Sequence, residues 1–111
     1  MKRGEIWTLR DNSYAAKSRP SVIIQATDYV FDSIVLCLMT TYDSESIKNR
    51  VKIEPTKENG LQKTTFVMTE KIVTANKESL GEYVGLFTEK QMHEISKQLA
   101  KILEIHKEDI D

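Results

Sequence analysis

Residues 34–39, IVLCLM, form a run in which every side chain is apolar. Successive side chains of a strand point to opposite faces, so a strand of this composition has to be covered on both sides. We therefore predict that residues 34–39 form the central strand of a sheet. Cys37, the single cysteine of the chain, lies inside this stretch, has no partner for an internal disulfide and is predicted to be a buried, inert thiol.

Shorter β-type runs lie on both sides of this stretch, and one helical run comes last. The turn signal Asn59-Gly60 predicts a tight turn in the polar connection 55–64. Strands that come first and a helix that comes last favour a barrel or sheet with a terminal helix over alternating βαβ units. The predicted strands are 4–9, 20–26, 34–40, 50–54 and 65–74, the last one broken in two at Thr69-Glu70.

The C-terminal helix is predicted to run from about residue 88 to about residue 106. Thr88 with Gln91 is a capping-box pattern, and Phe87 can pack against Met92 one turn into the helix. Apolar residues then recur at steps of three and four, which gives one stripe that is predicted to pack on the barrel. The stripe consists of Met92, Ile95, Leu99, Ile102 and Leu103.

Length and charge restrict the class of protein. The 111 residues have room for a single domain, and the net charge of −1 argues against a protein that coats nucleic acid through bulk positive charge. Residues 1–19 are the exception, since they hold five basic and two acidic side chains. The first residues resemble no signal peptide, and no apolar run approaches the roughly 18 residues of a membrane span. We expect a cytoplasmic protein without a membrane partner.

A candidate for chemistry arises where Arg19-Pro20 opens the second strand, because a residue before proline is pushed into extended geometry. If the turn between the second and third strands is centred near Val30, paired positions sum to about 60. This register places Pro20 opposite Thr40 and Arg19 opposite Thr41. The arginine and the two threonine hydroxyls are therefore predicted to meet at the same end of the hairpin.

That cluster suits phosphodiester cleavage. An arginine fork binds a phosphate through two hydrogen bonds and stabilises charge in the transition state, while a hydroxyl can orient the phosphate or the nucleophile. RNA carries its own nucleophile in the 2′-OH, so such an enzyme needs no metal or other cofactor. The alternative is purely structural, because Arg-Pro is a common dipeptide and threonine is an ordinary strand residue.

Other candidates are weaker. In the connection 10–18, Tyr14 could stack on an unpaired base and Lys17 could hold a phosphate, although an ordinary solvated loop is the alternative. Lys48, Arg50 and Lys52 flank the next connection and could extend a basic path, although alternating positive charges on an exposed strand need no function. The two histidines, 93 and 106, lie about 140° apart around the predicted helix and cannot form an acid/base pair within one chain. No metal-ligand spacing is present.

Four segments resemble the MazF/PemK toxins in order and spacing, across nearly the whole chain. These segments are 2–7 (KRGEIW), 19–25 (RPSVIIQ), 38–41 (LMTT) and 70–74 (EKIVT), followed by Leu80 and the closing helix. The resemblance implies a small SH3-like β-barrel with a C-terminal helix, a homodimer, and sequence-selective cleavage of single-stranded mRNA that leaves a 2′,3′-cyclic phosphate. It also implies neutralisation by a small acidic, MazE-like antitoxin whose tail fills the RNA groove.

The resemblance carries the family's catalytic arginine and threonine onto Arg19 and Thr40, the pair that the hairpin register also selects. The predicted substrate contacts are Tyr14, Lys17, Ser18, Thr41, Lys48 and Lys71. The chain departs from the family in its first loop, which lacks the common Gly-Ser-Glu-Gln pattern. Lys71 and Val73 also stand where many members have glutamine and arginine. The resemblance therefore does not extend to a particular RNA motif.

Two other functions fit the same predicted fold. A CcdB-like toxin poisons DNA gyrase, but that activity relies on a C-terminal Trp-Gly-Ile, whereas this chain ends in residues 108–111, EDID. A small SH3-like binding module would have no catalytic activity and would tolerate Arg19→Ala without loss of function.

Overall fold

The computed structural model describes residues 1–10 and 18–111. Within them, six strands pair antiparallel into one sheet in the order β4-β5-β3-β2-β1-β6, and a helix follows. This confirms the predicted mainly β fold with a C-terminal helix. The elements are β1 (Glu5–Arg10), β2 (Ser18–Ile23), β3 (Ser33–Thr40), β4 (Val51–Ile53), β5 (Thr65–Asn76), β6 (Leu80–Leu86) and α1 (Glu89–Ile102), with short 3-10 turns at Lys77–Ser79 and Lys107–Asp109.

The sheet is strongly curled. No hydrogen-bonded ladder joins its edge strands β4 and β6 within the described ranges. Instead, the turn after β4 reaches across to β6, where the backbone N–H of Leu86 donates to the carbonyl of Glu58 at 3.0 Å. The side chain of Asn59 holds this turn, since its buried Oδ1 accepts from the backbone N–H groups of Thr56 and Leu61. Gly60 follows with a φ of +66°, as the predicted Asn-Gly turn requires.

Strand β3 is the third strand of six, and its side chains alternate between two hydrophobic clusters, which confirms its central position. Cys37 and Met39 point into the cluster that α1 covers, while Leu36 and Leu38 point into the cluster on the other side. Burial raises the pKa of the Cys37 thiol to about 12, so the thiol stays protonated and unreactive.

Strand β5 is continuous over Thr65–Asn76, so the predicted break at Thr69-Glu70 is wrong. A bulge occupies that position, because Cys37 pairs with Ile72 while Met39 pairs with Val67. Residues 68–71 of β5 thus have a single residue of β3 opposite them. The bulge leaves the Thr69 hydroxyl free to donate to the carbonyl of Asn49 at 2.7 Å, which ties β5 to the segment before β4.

Strand β6 was not predicted, because Gly81 and Gly85 interrupt its apolar pattern. Both glycines lie where another segment approaches closely. A Cβ on Gly81 would come within 2.5 Å of the Thr8 hydroxyl, and one on Gly85 within 2.3 Å of the Asn59 carbonyl oxygen. The residues that weaken the strand signal in the sequence are therefore the ones that let β6 pack against β1 and the turn after β4.

Helix α1 begins as predicted. The Thr88 hydroxyl accepts from the backbone N–H of Gln91 at 3.1 Å, and the Gln91 side chain accepts from the backbone N–H of Thr88 at 2.9 Å. Phe87 and Met92 are buried in the same cluster, which also contains the next two members of the apolar stripe, Ile95 and Leu99.

The end of α1 differs from the prediction. The helix stops at Ile102 rather than near residue 106, and Ile102 and Leu103 are 39% and 52% exposed, so the last two residues of the stripe do not pack on the sheet. Glu104 has a φ of +54°, its N–H bonds to the carbonyl of Lys101, and the next N–H bonds to the carbonyl of Ala100. This is a Schellman ending with glutamate where glycine is usual. No helix in the described ranges is long and apolar enough to cross a membrane.

Candidate active site

The candidate site lies at the mouth of the β2–β3 hairpin. The observed pairs are Ser21 with Leu38, Val22 with Cys37, and Ile23 with Leu36, so paired residue numbers sum to 59. If the same register is extended by two residues along both strands, Arg19 lies opposite Thr40. The predicted register, which paired Arg19 with Thr41, was wrong by one residue. The error does not move either side chain away from the mouth of the hairpin.

Arg19 and Thr40 also share a face of the sheet. Arg19 pairs with Leu9 of β1, and paired residues of antiparallel strands point to the same side. Leu9 and Leu38 belong to one hydrophobic cluster, and Thr40 follows Leu38 by two residues along β3. The guanidinium and the hydroxyl therefore extend that cluster's face, on the opposite side of the sheet from α1. Arg19 is exposed and Thr40 is half-buried.

The Thr40 hydroxyl is oriented by the turn that follows it. Its oxygen accepts a hydrogen bond from the backbone N–H of Tyr42 at 3.1 Å. A hydroxyl that accepts in this way still has its own proton to donate. The Thr40 hydroxyl can therefore donate a hydrogen bond, and a phosphate oxygen bound by Arg19 would be a suitable acceptor.

A polar cluster joins the connection 41–50 to β5 and includes Ser44, Arg50 and Glu70. The Arg50 guanidinium donates from Nη1 to the Ser44 hydroxyl at 2.9 Å and from Nε to the Glu70 carboxylate at 3.0 Å. The Arg50 side chain is only 11% exposed. Hydrogen bonds from Arg50 are the main reason that the pKa of Glu70 is lowered, so Glu70 is ionised near neutral pH.

This cluster bears on the basic path that the sequence left open. The Arg50 guanidinium is turned toward Glu70 and Ser44, and the Lys52 ammonium bonds to Glu45, so both charges are engaged within the chain. No sequence pattern indicated this pairing, because Arg50 and Glu70 are 20 residues apart and meet beside the bulge in β5.

The other predicted site residues fall in different places. Ser18 begins β2 and lines a cavity of about 380 Å³ together with Arg10 of β1 and Leu80 of β6. Thr41 is exposed and lines a separate cavity of about 310 Å³. Lys48 is exposed in the connection 41–50, and Lys71 is half-buried in the bulge of β5. The predicted substrate contacts Tyr14 and Lys17 lie outside the described residues.

The structure brings Ser18, Arg19, Thr40 and Thr41 to the same end of the β2–β3 hairpin, whereas Lys48 and Lys71 belong to neighbouring segments. In the described part of the chain, no three His, Cys, Asp or Glu side chains lie close enough together to hold a metal ion.

Comparisons with known proteins agree on the family. A family model described as a PemK-like, MazF-like toxin of type II toxin–antitoxin systems matches residues 2–103. A curated protein named probable endoribonuclease MazF, from Mycolicibacterium smegmatis, is 35% identical over 109 residues and covers 95% of this chain and 98% of its own length.

Solved structures show the same fold at lower identity. An endoribonuclease from a mycobacterial species, solved in complex with its cognate antitoxin, has a TM-score of 0.79 at 23% identity and covers 96% of this chain and 97% of its own. MazF from Deinococcus radiodurans has a TM-score of 0.77 at 15% identity over 95% and 97% of the two chains. From the family model and the curated relative together, the chain belongs to the PemK-like, MazF-like family of type II toxin–antitoxin toxins and is an endoribonuclease of that family.

Proposed function

We propose that this MazF-like endoribonuclease cuts single-stranded mRNA at selected sequences by using the substrate's own 2′-OH as the nucleophile. The 2′ oxygen forms a bond to the adjacent phosphorus as it loses its proton, and the bond from phosphorus to the 5′ oxygen breaks as that oxygen gains a proton. The products are a 2′,3′-cyclic phosphate and a 5′-hydroxyl end. The observation that carries the proposal is the position of Arg19 and Thr40 on one face at the mouth of one hairpin.

Each of the two residues has a distinct role in this mechanism. Arg19 binds the non-bridging phosphate oxygens and stabilises the negative charge that grows on them as the phosphorus becomes pentacovalent. Thr40 donates its hydroxyl proton to one of those oxygens, since its own oxygen already accepts from the N–H of Tyr42. Because RNA supplies the nucleophile and Arg19 supplies the positive charge, the reaction requires no metal.

Selection of the RNA sequence is assigned to polar groups around this pair. Ser18 and Thr41 directly flank Arg19 and Thr40 in the chain, and both are exposed. Unpaired bases present their edges to such side chains, whereas a duplex hides them. Lys48 and Lys71 are proposed to contact phosphates on either side of the cut. Tyr14 and Lys17 remain predicted contacts from the first loop.

We extend the proposal to partners. The protein acts in the cytoplasm as a homodimer, and a small acidic antitoxin binds across the hairpin mouth and excludes RNA. The support is the family membership and the related mycobacterial endoribonuclease that was solved with its cognate antitoxin.

The test is cleavage of a long single-stranded RNA in excess EDTA, with the new ends mapped. The wild type is expected to cut at discrete sites and leave 5′-hydroxyl ends. Arg19→Ala and Thr40→Ala are each expected to lower kcat by about 100- to 1000-fold, the usual loss when one donor to a transition-state oxygen is removed. Lys101→Ala is the control, since it also removes one positive charge but lies on α1, behind the opposite side of the sheet.

Three results would contradict the proposal. Dependence on added magnesium or 5′-phosphate products would exclude attack by the 2′-OH. Full activity of Arg19→Ala would remove the proposed site. Absence of any cleavage would favour gyrase poisoning or a non-catalytic binding module instead.

A further inference from the structure

One residue of the connection 41–50 is unusual in its burial. Residues 41–43 and 45–48 are exposed, yet Ser44 is 1% exposed. Its hydroxyl is bonded on both sides, since it accepts from Arg50 Nη1 at 2.9 Å and donates to the carbonyl of Tyr42 at 2.9 Å. A small polar side chain that is fully enclosed and fully bonded fixes the backbone around it.

The backbone that Ser44 fixes is the one that orients Thr40. The carbonyl of Tyr42 accepts from Ser44, and the N–H of Tyr42 donates to the Thr40 hydroxyl at 3.1 Å. A shift of this residue would therefore release the Thr40 hydroxyl to rotate. The contacts form a continuous path from Arg50 through Ser44 and Tyr42 to Thr40.

Glu70 fixes the far end of this path. Its carboxylate accepts hydrogen bonds from both Nε and Nη2 of Arg50. The remaining nitrogen, Nη1, is thereby directed at the Ser44 hydroxyl. A planar guanidinium held at two nitrogens cannot rotate, so the direction of the third is set as well. Glu70 lies in the bulge of β5, and the bulge thus gives the 41–50 connection an anchor in the sheet.

We propose that Arg50 and Glu70 are positioning residues that act through Ser44 and Tyr42 to keep the Thr40 hydroxyl oxygen occupied and its proton directed at the scissile phosphate. This inference rests on the proposed function, because it requires Thr40 to contact that phosphate. The effect is on orientation in the transition state. It therefore changes kcat and leaves KM nearly unchanged.

The experiment compares two ion pairs of the same region. Arg50→Met and Ser44→Ala break the path to Thr40 and are expected to lower kcat by about 10- to 100-fold, in the range of a small misplacement of a catalytic group. KM is expected to stay within about twofold. Lys52→Met removes the same charge two residues further along the chain, in β4, but breaks only the exposed pair with Glu45, and it is expected to cut at the wild-type rate. Melting curves show which variants are folded. If Arg50→Met unfolds, Ser44→Ala still tests the inference, because this substitution removes only one oxygen atom.

A double-mutant cycle separates positioning from a general structural role. In a Thr40→Val background the hydroxyl is gone, so Arg50→Met or Ser44→Ala is expected to cause no further loss of kcat. An equal loss in both backgrounds, or wild-type kcat in the single variants, would overturn the inference. Failure of the proposed function is a different result, namely wild-type cleavage by Thr40→Val alone.

Discussion

Strands β2 and β3 carry two regions that differ in composition and in exposure. In the middle of the pair, Val22 and Cys37 are fully buried against the cluster that α1 covers. At the mouth of the hairpin, Arg19 is exposed and Thr40 is half-buried. The first region stabilises the fold, while the second is held in place by strand register and contributes little burial of its own. Substitutions in the middle of the pair should therefore change the free energy of unfolding and leave kcat intact. Substitutions at the mouth of the hairpin should change kcat and leave the free energy of unfolding nearly unchanged.

The largest effect on stability is expected from Ile95→Ala. Ile95 is completely buried between α1 and the sheet, so the substitution removes apolar contacts and leaves a cavity, at a cost of about 2–5 kcal/mol in the free energy of unfolding. Urea denaturation measures this cost. Ile102→Ala, on the same helix but at a side chain that is 39% exposed, is the matched control and should cost less.

The cleavage rate tests whether the two regions are independent. At a temperature where Ile95→Ala is folded, its kcat is expected to equal that of the wild type, because the helix lies on the opposite side of the sheet from Arg19 and Thr40. A fall in kcat that tracks the loss of stability would show that the two regions are coupled.

A smaller effect, of opposite sign, is expected from Glu104→Gly. A non-glycine residue in the left-handed region costs roughly 1–2 kcal/mol, and glycine removes that cost while adding some freedom to the unfolded chain. The variant should therefore be more stable by up to about 1 kcal/mol and melt a few degrees higher. Lys101→Gly, in the last turn of α1, is the control and should be destabilising. A lower melting temperature for Glu104→Gly would contradict the Schellman ending.

The two ends of α1 show what the sequence could predict. The N-terminus was predicted because Thr88 and Gln91 are a local pattern whose hydrogen bonds need no other part of the chain. The C-terminus was not, because Glu104 lacks the usual glycine signal. Strand β3 was recognised from its continuous apolar run, whereas β6 was missed because its glycines serve contacts with distant segments.

The candidate site divides in the same way. The convergence of Arg19 and Thr40 was predicted to within one residue of register, because a hairpin's register depends on one nearby turn. The contact between Arg50 and Glu70 was not predicted, since it depends on the bulge in β5 and on tertiary pairing with β4. Sequence reasoning thus brought the two groups proposed for catalysis together but missed the side chains that hold their surroundings.

The smallest effect on stability concerns Glu70, and it depends on pH. Hydrogen bonds from Arg50 hold the pKa of Glu70 below its ordinary value of 4.5, so the folded state favours the ionised form. The resulting stabilisation is fully present above the unfolded pKa and is lost as the pH falls through the lowered folded value. Glu70→Gln should therefore melt below the wild type at pH 7, and the difference should shrink once the pH falls below about 4.5.

The exposed pair provides the reference for that measurement. Lys52→Met is expected to leave the melting temperature unchanged at pH 7, because solvent screens the contact with Glu45. A deficit of Glu70→Gln that stays constant from pH 7 to pH 3 would mean that packing, and not the charge on Glu70, stabilises the connection 41–50. A deficit that disappears in acid would tie the order of that connection to one ionised carboxylate. It would also predict that the kcat of the wild type, measured where the protein is still folded, falls toward that of Glu70→Gln over the same pH range.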